Sequence, residues 1–300
     1  MNVCMARILA VLREFAVRGT IAGAADALSF TPSAVSQQLA QLQREAGVKL
    51  FRKVGRRLEL TDAGRTLVAR ADELLARIEE IDAELAAQAE EVRGTIRVGA
   101  FQTAASAIVI PALDRLAERH PRLRVELVEA EAEESLPVLA RGGLDVAIAD
   151  EYEHAPRPRS AQLRREYLAP DEMVLALPRD HATAKGNGPV SLASLHAIEW
   201  AAARADTAFG DMFVRVCRSV GGFEPEIRHR VSEMALLLDV VAGGGAAALV
   251  PALGRPERDP RVAVRRIAEG RFSRALFVAV RESDRSRPST AAVVAAMRGQ

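Results

Sequence analysis

Hydrogen-bonding side chains are concentrated in one stretch near the N-terminus, between Thr31 and Ala46. Those expected on one face of a helix are Ser33, Ser36, Gln37, Gln41 and Arg44. Hydroxyl and amide groups donate and accept hydrogen bonds on base edges, and an arginine contacts phosphates. These residue types therefore indicate contact with nucleic acid. For the stretch taken alone, an ordinary amphipathic surface helix is the competing interpretation.

A helix from Thr31 to Ala46 would hold these side chains on one face. The Thr31 hydroxyl can accept a hydrogen bond from a free backbone N–H of the first turn. Pro32 then occupies the first helical position, where no N–H is needed, and Gly47 suits the left-handed end of a helix. The opposite face is apolar, because Val35, Leu39, Leu42 and Ala46 recur at helical spacing.

The neighbouring elements make this helix the second of a helix-turn-helix. Helices are predicted over residues 5–17 and Ile21–Leu28, and a short turn separates the latter from Thr31. Two strands follow, Leu50–Lys53 and Leu58–Leu60, joined by a turn at Gly55. Their basic side chains are Arg52, Lys53, Arg56 and Arg57. Such a wing is suited to backbone phosphate beside a groove; a solvated basic turn is the alternative.

A long helix is predicted to begin at Thr61 and to continue to about Glu91. Its apolar residues alternate at spacings of four and three: Leu67, Ala71, Leu74, Ile78, Ile81 and Leu85. This spacing is typical of a heptad seam, which buries its stripe against a second helix of the same kind. We therefore predict a dimerisation helix, and the alternative is a linker packed on its own domain.

These elements, in this order, resemble the LysR-type transcriptional regulators. The matching residues are Phe15, Ala24, Ala25, Leu28, the Ala-Val-Ser run at 34–36, Gln38, Leu39, Gly47, Leu50, Phe51 and the Leu-Thr-Asp-Ala-Gly run at 60–64. The family commonly has Ser-Gln-Pro-Ala where this sequence has Thr-Pro-Ser-Ala at 31–34. Because the proline is shifted by one position, the family's contacts transfer better at Ser36, Gln37 and Gln38 than in the first turn.

The resemblance implies a regulator that binds double-stranded DNA at an interrupted palindromic operator, as a homodimer or homotetramer that also contacts RNA polymerase. The residues expected to contact DNA are Thr31, Pro32, Ser33, Ser36, Gln37, Gln38, Gln41, Arg52, Arg56 and Arg57. A small-molecule effector would control this binding by closing two lobes of the C-terminal region.

Residues 94–300 alternate strands and helices, which favours α/β domains with largely parallel sheets. The strands are expected at 95–100, 124–129, 144–149, 163–168, 172–177, 198–201, 226–231, 246–250, 262–267 and 274–280. Chain crossings near 150–160 and 265 divide the region into lobe I, about 94–155 and 266–300, and lobe II, about 156–265. This is similar to the family's effector-binding domain, which has the type 2 periplasmic-binding-protein fold. The predicted domains are thus a mostly α-helical winged helix-turn-helix (1–65), a linker helix (66–93) and a two-lobed α/β domain (94–300).

A ligand is expected beyond the carboxyl ends of the strands. The strand at 95–100 ends before Thr103 and a helix predicted over 106–120, whose first residue is Ser106. Free N–H groups there favour an anionic or carbonyl oxygen, although plain capping is the alternative. The second lobe would contribute Ala202 and Arg204, the latter as a partner for a carboxylate. Glutamates at 129, 131, 133 and 134 would instead favour a cationic effector, and a solvated acidic face is the alternative there.

Composition excludes several other classes. The net charge is +1, but residues 1–65 hold ten Lys or Arg against five Asp or Glu, so the basic excess surrounds the helix-turn-helix. Cys4 and Cys217 lie too far apart in sequence to indicate a disulfide framework or metal cluster. The histidines show no metal spacing, so no metal or cofactor is expected. No apolar run indicates a membrane span, and we expect a cytoplasmic protein. The competing class is an enzyme on a similar two-lobed fold joined to a DNA-binding head, as in prephenate-dehydratase-like chains, but no catalytic set is visible.

Overall fold

A computed structural model describes residues 3–28, 30–55, 57–88, 92–152 and 156–299. Their contacts divide the chain into two compact units, Met1–Gln88 and Ala89–Gln300. We call them the N-terminal unit and the C-terminal unit. The long helix, predicted as a separate linker over 66–93, belongs to the same compact unit as the elements before it.

The described residues of the N-terminal unit form four helices and a hairpin. They are α1 (Val3–Arg18), α2 (Ile21–Leu28), α3 (Pro32–Ala46), β1 (Phe51–Val54), β2 (Arg57–Leu60) and α4 (Asp62–Gln88). The two strands are antiparallel, with Phe51 opposite Leu60. β1 is displaced by one residue from its predicted bounds, and β2 begins one residue earlier than predicted, whereas α2 and α3 have the bounds predicted.

The core of this unit is formed by the apolar faces of α1, α2 and α3. Its buried residues are Ile8, Val11, Leu12, Phe15, Ala24, Ala25, Val35, Leu39, Leu42 and Leu50. Phe15 meets Phe51 edge to face, with 5.5 Å between ring centroids. The periodicity that predicted α3 therefore corresponds to a packed face, which leaves its polar face exposed.

The start of α4 is packed on its own unit. Ala71 is fully buried and Leu75 is nearly so, both in a cluster with Leu9 of α1. Leu67 is partly buried against the core of the unit. Ala71 is therefore not available to a partner helix, which corrects its assignment to the heptad seam; α1 lies on the side where the partner was expected.

The C-terminal unit contains nine strands and six α-helices among its described residues. The strands are β3 (Gly94–Ala100), β4 (Leu123–Glu129), β5 (Val146–Tyr152), β6 (Leu163–Pro178), β7 (Glu199–Ala202), β8 (Glu226–Arg230), β9 (Ala248–Pro251), β10 (Val262–Arg265) and β11 (Ser273–Arg281). The helices are α5 (Gln102–Ala104), α6 (Ile110–Arg119), α7 (Ala132–Ala140), α8 (Ala208–Val216), α9 (Met234–Ala242) and α10 (Pro288–Met297).

Short turns of other helix types complete the unit. Two π-helical turns, Ala105–Val109 and Cys217–Gly221, follow α5 and α8 directly. The 3-10 turns are Ala182–Ala184, Leu192–Leu195, Ala252–Gly254, Pro256–Arg258 and Glu282–Asp284. The helix predicted to begin at Ser106 therefore begins four residues earlier, because α5, the π turn and α6 are continuous in the chain.

The main sheet is mixed. Its strand order is β10-β6-β11-β5-β3-β4, and β9 also pairs with β6. β3 is parallel to β4 and β5, whereas β11 is antiparallel to β5 and β6. The expectation of largely parallel sheets is wrong, because β6 and β11 are long strands that run antiparallel to their neighbours. A smaller parallel pair, β7 and β8, lies outside this sheet.

One continuous strand joins the two lobes. Residues 163–168 and 172–177 were predicted as separate strands, but both belong to β6. Pairing of β6 with β11 shifts between Leu276 and Phe277, so a bulge lies close to Pro170. A bulge is one place where a strand tolerates proline. The N-terminal part of β6 pairs with β11, and its C-terminal part pairs with β9 and β10.

The chain therefore crosses from one lobe to the other within β6, and not at 150–160 as predicted. It returns at Phe272, whose carbonyl accepts a hydrogen bond from the Met173 N–H at 2.7 Å. We use lobe I for residues 92–172 and 273–299 and lobe II for residues 173–272. Separate apolar clusters form the cores of the two lobes. Among the described helices, none is long and apolar enough to cross a bilayer.

Candidate nucleic-acid interface and ligand cleft

The first turn of α3 is fixed by its cap. Thr31 has extended backbone angles, and its hydroxyl accepts a hydrogen bond from the Ala34 N–H at 3.2 Å. The Ser33 and Thr31 hydroxyls lie 3.0 Å apart. Pro32 occupies the first helical position, and Gly47 ends the helix with φ of 67°. The shifted proline thus leaves the helix start intact and adds one hydroxyl beside the cap.

The exposed face of α3 and its cap carry five of the ten residues predicted to contact DNA. Thr31, Pro32, Ser33, Ser36 and Gln37 are exposed. Their hydroxyl and amide groups point away from the core and are positioned to hydrogen-bond a base edge or a phosphate.

Two other glutamines of α3 are less accessible to DNA. The Gln41 Nε2 donates to Glu45 Oε1 at 2.8 Å along the helix, so contact with a base would require this pair to open. Gln38 is half-buried, and its Oε1 is buried without a hydrogen-bond partner among the described residues.

The wing presents its basic side chains on both strands. The Arg52 Nη2 donates to Glu59 Oε2 at 3.2 Å across the hairpin, although 61% of the Arg52 side chain stays exposed. Lys53 and Arg57 are exposed as well. Arg56, also predicted to contact DNA, lies outside the described residues. Exposed cations on a short hairpin are suited to phosphate contact.

Two polar residues hold the wing against α3 and α4: Gln43, which the sequence analysis did not single out, and Thr61, which was predicted to begin the long helix. The Gln43 Oε1 accepts from the N–H groups of Leu50 and Phe51, at 3.0 and 3.1 Å. The Thr61 hydroxyl donates to the Lys49 carbonyl at 2.7 Å and accepts from the Gly64 N–H at 3.1 Å. The spacing of four between Leu39 and Gln43 is the sequence signal that could have placed Gln43 on the inner side of α3.

A buried arginine organises the cleft between the lobes of the C-terminal unit. Arg274, on β11, donates from Nε to Asp171 Oδ2 at 2.9 Å, from Nη1 to Asp150 Oδ2 at 3.0 Å and from Nη2 to Thr103 Oγ1 at 3.0 Å. Its guanidinium also lies over the Phe101 ring, 4.6 Å from the centroid. Thr103 was predicted from sequence, whereas Arg274 was missed because nothing in its local sequence distinguishes it from an exposed strand arginine.

Asp150 is shared between two arginines and a tyrosine. The Arg157 Nη2 donates to Asp150 Oδ1 at 2.8 Å, and the Tyr152 hydroxyl donates to Asp150 Oδ2 at 3.1 Å. Burial opposes the ionisation of Asp150, but Arg274 and Arg157 outweigh burial and lower its pKa. Burial and the charge of Asp150 raise the pKa of Tyr152, so this phenol remains a neutral donor.

Glu131 lines the same cleft as Thr103, Asp150 and Arg274. Burial, and then the carboxylates of Asp150 and Glu133, raise the pKa of Glu131 to about 7. The Glu131 carboxyl group is therefore partly protonated near neutral pH. A ligand bound beside it would change the protonated fraction.

Several hydrogen bonds between described residues join the lobes at the cleft. The Gln102 Nε2 donates to Glu233 Oε1 at 3.2 Å, and Gln102 Oε1 accepts from the Met234 N–H at 3.4 Å. The Glu133 Oε1 accepts from the Ala208 N–H at 3.0 Å. The cavity between them measures about 40 Å³, which holds water-sized molecules only. Entry of a metabolite therefore requires these contacts to part.

The other residues predicted to bind the effector are placed differently. Ala202 is buried within β7, because that strand continues one residue past its predicted end. The Arg204 side chain is 58% exposed and pairs with Asp206. Ser106 is exposed in the π turn and lines a second cavity, which it shares with Thr103. The structure thus brings Thr103 and Ser106 together but not Arg204. In the described part of the chain, no three His, Cys, Asp or Glu residues are grouped to hold a metal ion.

Two family models match the two units. The model for bacterial regulatory helix-turn-helix proteins of the lysR family matches residues 6–65, and the model for the LysR substrate binding domain matches residues 89–300. The chain belongs to the LysR family of transcription regulators. The predicted family, fold and function class are thereby confirmed: this LysR-type regulator has a DNA-binding unit and an effector-binding unit, and it is a regulator rather than an enzyme.

Curated relatives of this LysR-type regulator include two mycobacterial proteins. A probable hydrogen peroxide-inducible genes activator of Mycobacterium leprae is 28% identical over 256 residues, 84% of this chain and 80% of the relative. The protein of the same name from Mycobacterium xenopi is 34% identical over 176 residues, 58% of this chain and 90% of the relative.

Solved structures share the fold at low sequence identity. A full-length OxyR variant from Pseudomonas aeruginosa has a TM-score of 0.73 at 19% identity, over 98% of this chain and 94% of that one. CbnR, a LysR family regulator solved in complex with its target DNA, has a TM-score of 0.56 at 24% identity, over 98% of each chain.

Proposed function

We propose that this LysR-type regulator reads an interrupted palindromic operator with α3 and the β1–β2 wing. The protein acts in the cytoplasm as a homodimer or homotetramer that contacts RNA polymerase. A small molecule held between lobes I and II changes its binding to DNA.

The observation that carries this proposal is the division of α3 into two faces. Val35, Leu39 and Leu42 are buried, whereas Ser36 and Gln37 are exposed beside a wing that carries Arg57. We assign base reading to Ser36 and Gln37, and phosphate contact to Arg57.

These two roles predict different mutant behaviour. Arg57→Ala removes a phosphate contact, so it should weaken binding to a duplex of random sequence and reduce the salt slope by about 0.9. Gln37→Ala should leave that slope unchanged and instead relax preference among duplexes selected from a random library. Arg271→Ala, an exposed arginine of the C-terminal unit, is the charge-matched control. An unchanged salt slope in Arg57→Ala would show that the wing does not contact DNA.

Exposed apolar residues of α4 support assembly. Leu74 is 56% exposed and Ile81 is 37% exposed, and Ile78 lies between them at heptad spacing. The Leu85 side chain lies outside the described part. Burial of these residues against a second α4 would remove their apolar surface from water.

Assembly is tested by placing charge on this stripe. Leu74→Asp combined with Ile81→Asp should give monomers in light scattering and should weaken operator binding, because two linked half-sites are lost. Ala69→Asp, on an exposed position of the same helix outside the stripe, should leave the oligomer intact. If the double variant remains oligomeric, α4 does not form the interface.

We propose that the effector binds without reacting covalently with Cys217. Burial and the nearby Glu224 raise the pKa of the Cys217 thiol to about 12. A protonated thiol is a poor nucleophile toward an oxidant, and this thiol is also buried. The chemistry of Cys217 therefore gives no support to peroxide sensing at this residue.

A thermal-shift screen of metabolites with the full chain tests the effector proposal. A ligand at 100 times its Kd adds about 2.7 kcal/mol of stability. Thr103→Val should reduce the shift, whereas Arg271→Ala should preserve it. A hit whose shift is equal in Thr103→Val and the parent would place the effector elsewhere.

A further inference from the structure

A second cavity between the lobes is much larger than the cleft. It measures about 610 Å³ and adjoins the cleft, with which it shares Gln102, Thr103 and Met234. Ser106 contributes from lobe I, and Arg255, Arg258 and Arg261 contribute from lobe II. We call it the arginine pocket. Its volume falls within the range of small-molecule sites, about 300–1,000 Å³.

The charge of this pocket is not balanced by its own acidic groups. Arg261 is neutralised, because its Nη2 donates to Asp239 Oδ1 and to Asp259 Oδ2, both at 2.7 Å. Arg255 and Arg258 are exposed, and neither makes a side-chain hydrogen bond or ion pair with a described residue. Asp259 is the acidic residue of the lining and is bound to Arg261. Two guanidinium groups thus remain available to a ligand.

The backbone around these arginines is unusual. Arg255 has φ of 52° and ψ of 51°, and it is the non-glycine residue with positive φ among those described. A side chain with a Cβ is disfavoured there, and such strain persists at sites where the surrounding structure enforces it. This residue joins the turns Ala252–Gly254 and Pro256–Arg258, so it places both free arginines on one short loop.

The facing wall comes from the π turn Ala105–Val109. Ser106 is exposed on that turn, and its hydroxyl makes no hydrogen bond to a described residue. π turns interrupt the regular α-helical pattern and are frequent at functional sites. A neutral donor of lobe I therefore lines the same cavity as two cations of lobe II.

We propose that the arginine pocket binds a small multivalent anion. Carboxylate or phosphate oxygens would engage the guanidinium groups of Arg255 and Arg258, each suited to bidentate contact, and the Ser106 hydroxyl would donate from the other lobe. Two unpaired guanidinium groups are best matched by a ligand with at least two negative charges. Because both lobes contribute, the bound anion would stabilise their present arrangement. This site goes beyond the proposed cleft effector and does not depend on the DNA assignment.

Isothermal titration of the full chain with citrate and with inorganic pyrophosphate, at constant ionic strength, tests the proposal. At least one should bind saturably, and the stronger of the two identifies carboxylate or phosphate as the preferred group. Trimethyl citrate, which is neutral, should not bind. Arg255→Gln with Arg258→Gln should weaken binding by at least about tenfold. Arg271→Gln, with a similar loss of exposed charge, should change affinity less than about twofold.

A further variant separates binding from folding. Arg255→Gly removes one guanidinium and relieves the positive φ, so its melting temperature should equal or exceed that of the parent while its anion affinity falls. The proposal is overturned if neither anion binds, if trimethyl citrate binds equally, or if Arg271→Gln weakens binding as much as the double variant. Retained affinity in the double variant would overturn it as well.

Discussion

Arg274 donates a hydrogen bond of 3.0 Å to the hydroxyl of Thr103, across 171 positions of sequence. The same guanidinium binds Asp150 and Asp171, so α5, β5, β6 and β11 meet at one buried cation. A fully paired buried charge is costly to disturb, because each lost partner leaves an uncompensated group. A ligand that contacts Thr103 is therefore linked through Arg274 to Asp171, on the strand that joins the two lobes.

Thr103→Val tests this connection. Valine keeps the shape but leaves one Arg274 N–H without its acceptor, so the C-terminal unit should lose about 1–3 kcal/mol of unfolding free energy. Thr103→Ser keeps the hydroxyl and should lose less. Chemical denaturation measures both variants. Equal loss in the two would mean that the Thr103 methyl group, and not the hydrogen bond, stabilises the site.

Glu131 should make stability depend on pH. Its pKa is about 7 in the folded protein, against an ordinary value of 4.5. The folded state holds this proton more tightly, so its contribution is complete below pH 4.5 and is lost as the pH rises through 7. Glu131→Gln should therefore be more stable than the parent at about pH 8, by on the order of 2 kcal/mol.

Melting curves at about pH 5 and about pH 8 check this expectation. Glu129→Gln, an exposed glutamate on β4, carries the same change of charge. An advantage at high pH that is shared by the two variants would point to a general charge effect instead.

Gln43 should couple the wing to α3. Its Oε1 is the acceptor for the N–H groups of Leu50 and Phe51. Gln43→Ala leaves both groups unpaired, so we expect about 1–3 kcal/mol less stability in the N-terminal unit and weaker binding to duplex DNA. Gln43→Glu retains an acceptor oxygen and should be less damaging to stability. Urea denaturation compares the stability of the two variants. Unchanged stability in Gln43→Ala would contradict the assigned role.

Gly64 should not tolerate a side chain. A Cβ at this position would lie 2.3 Å from the Leu50 carbonyl oxygen, where β1 begins, and 3.0 Å from the Leu60 side chain. Gly64→Ala must displace backbone, so a loss of about 2–4 kcal/mol is expected. Gly188→Ala, which meets no atom within 4 Å, should change stability by less than about 0.5 kcal/mol. Thermal unfolding of the two variants is the measurement.

Local signals were sufficient for most of the N-terminal unit. Thr31, Pro32 and Gly47 act at the ends of α3 as their chemistry predicts, because capping depends on neighbouring residues only. Local signals were not sufficient for the apolar stripe on α4. Period alone indicated a seam through Ala71, but α1 folds back to cover Ala71 and Leu75. Which helix covers an apolar stripe depends on tertiary packing.

By itself, the sequence determined the order of elements, the family and Thr103 as a cleft residue, since each follows from local pattern or motif. Only the tertiary structure decided that β6 is one strand shared by both lobes, that Arg274 is the buried partner of Thr103, and that Ser106 lines one cavity with Arg255 and Arg258. These relationships join residues separated by up to 171 positions. They arise from strand pairing and lobe packing, which the local spacing of residues in the sequence does not predict.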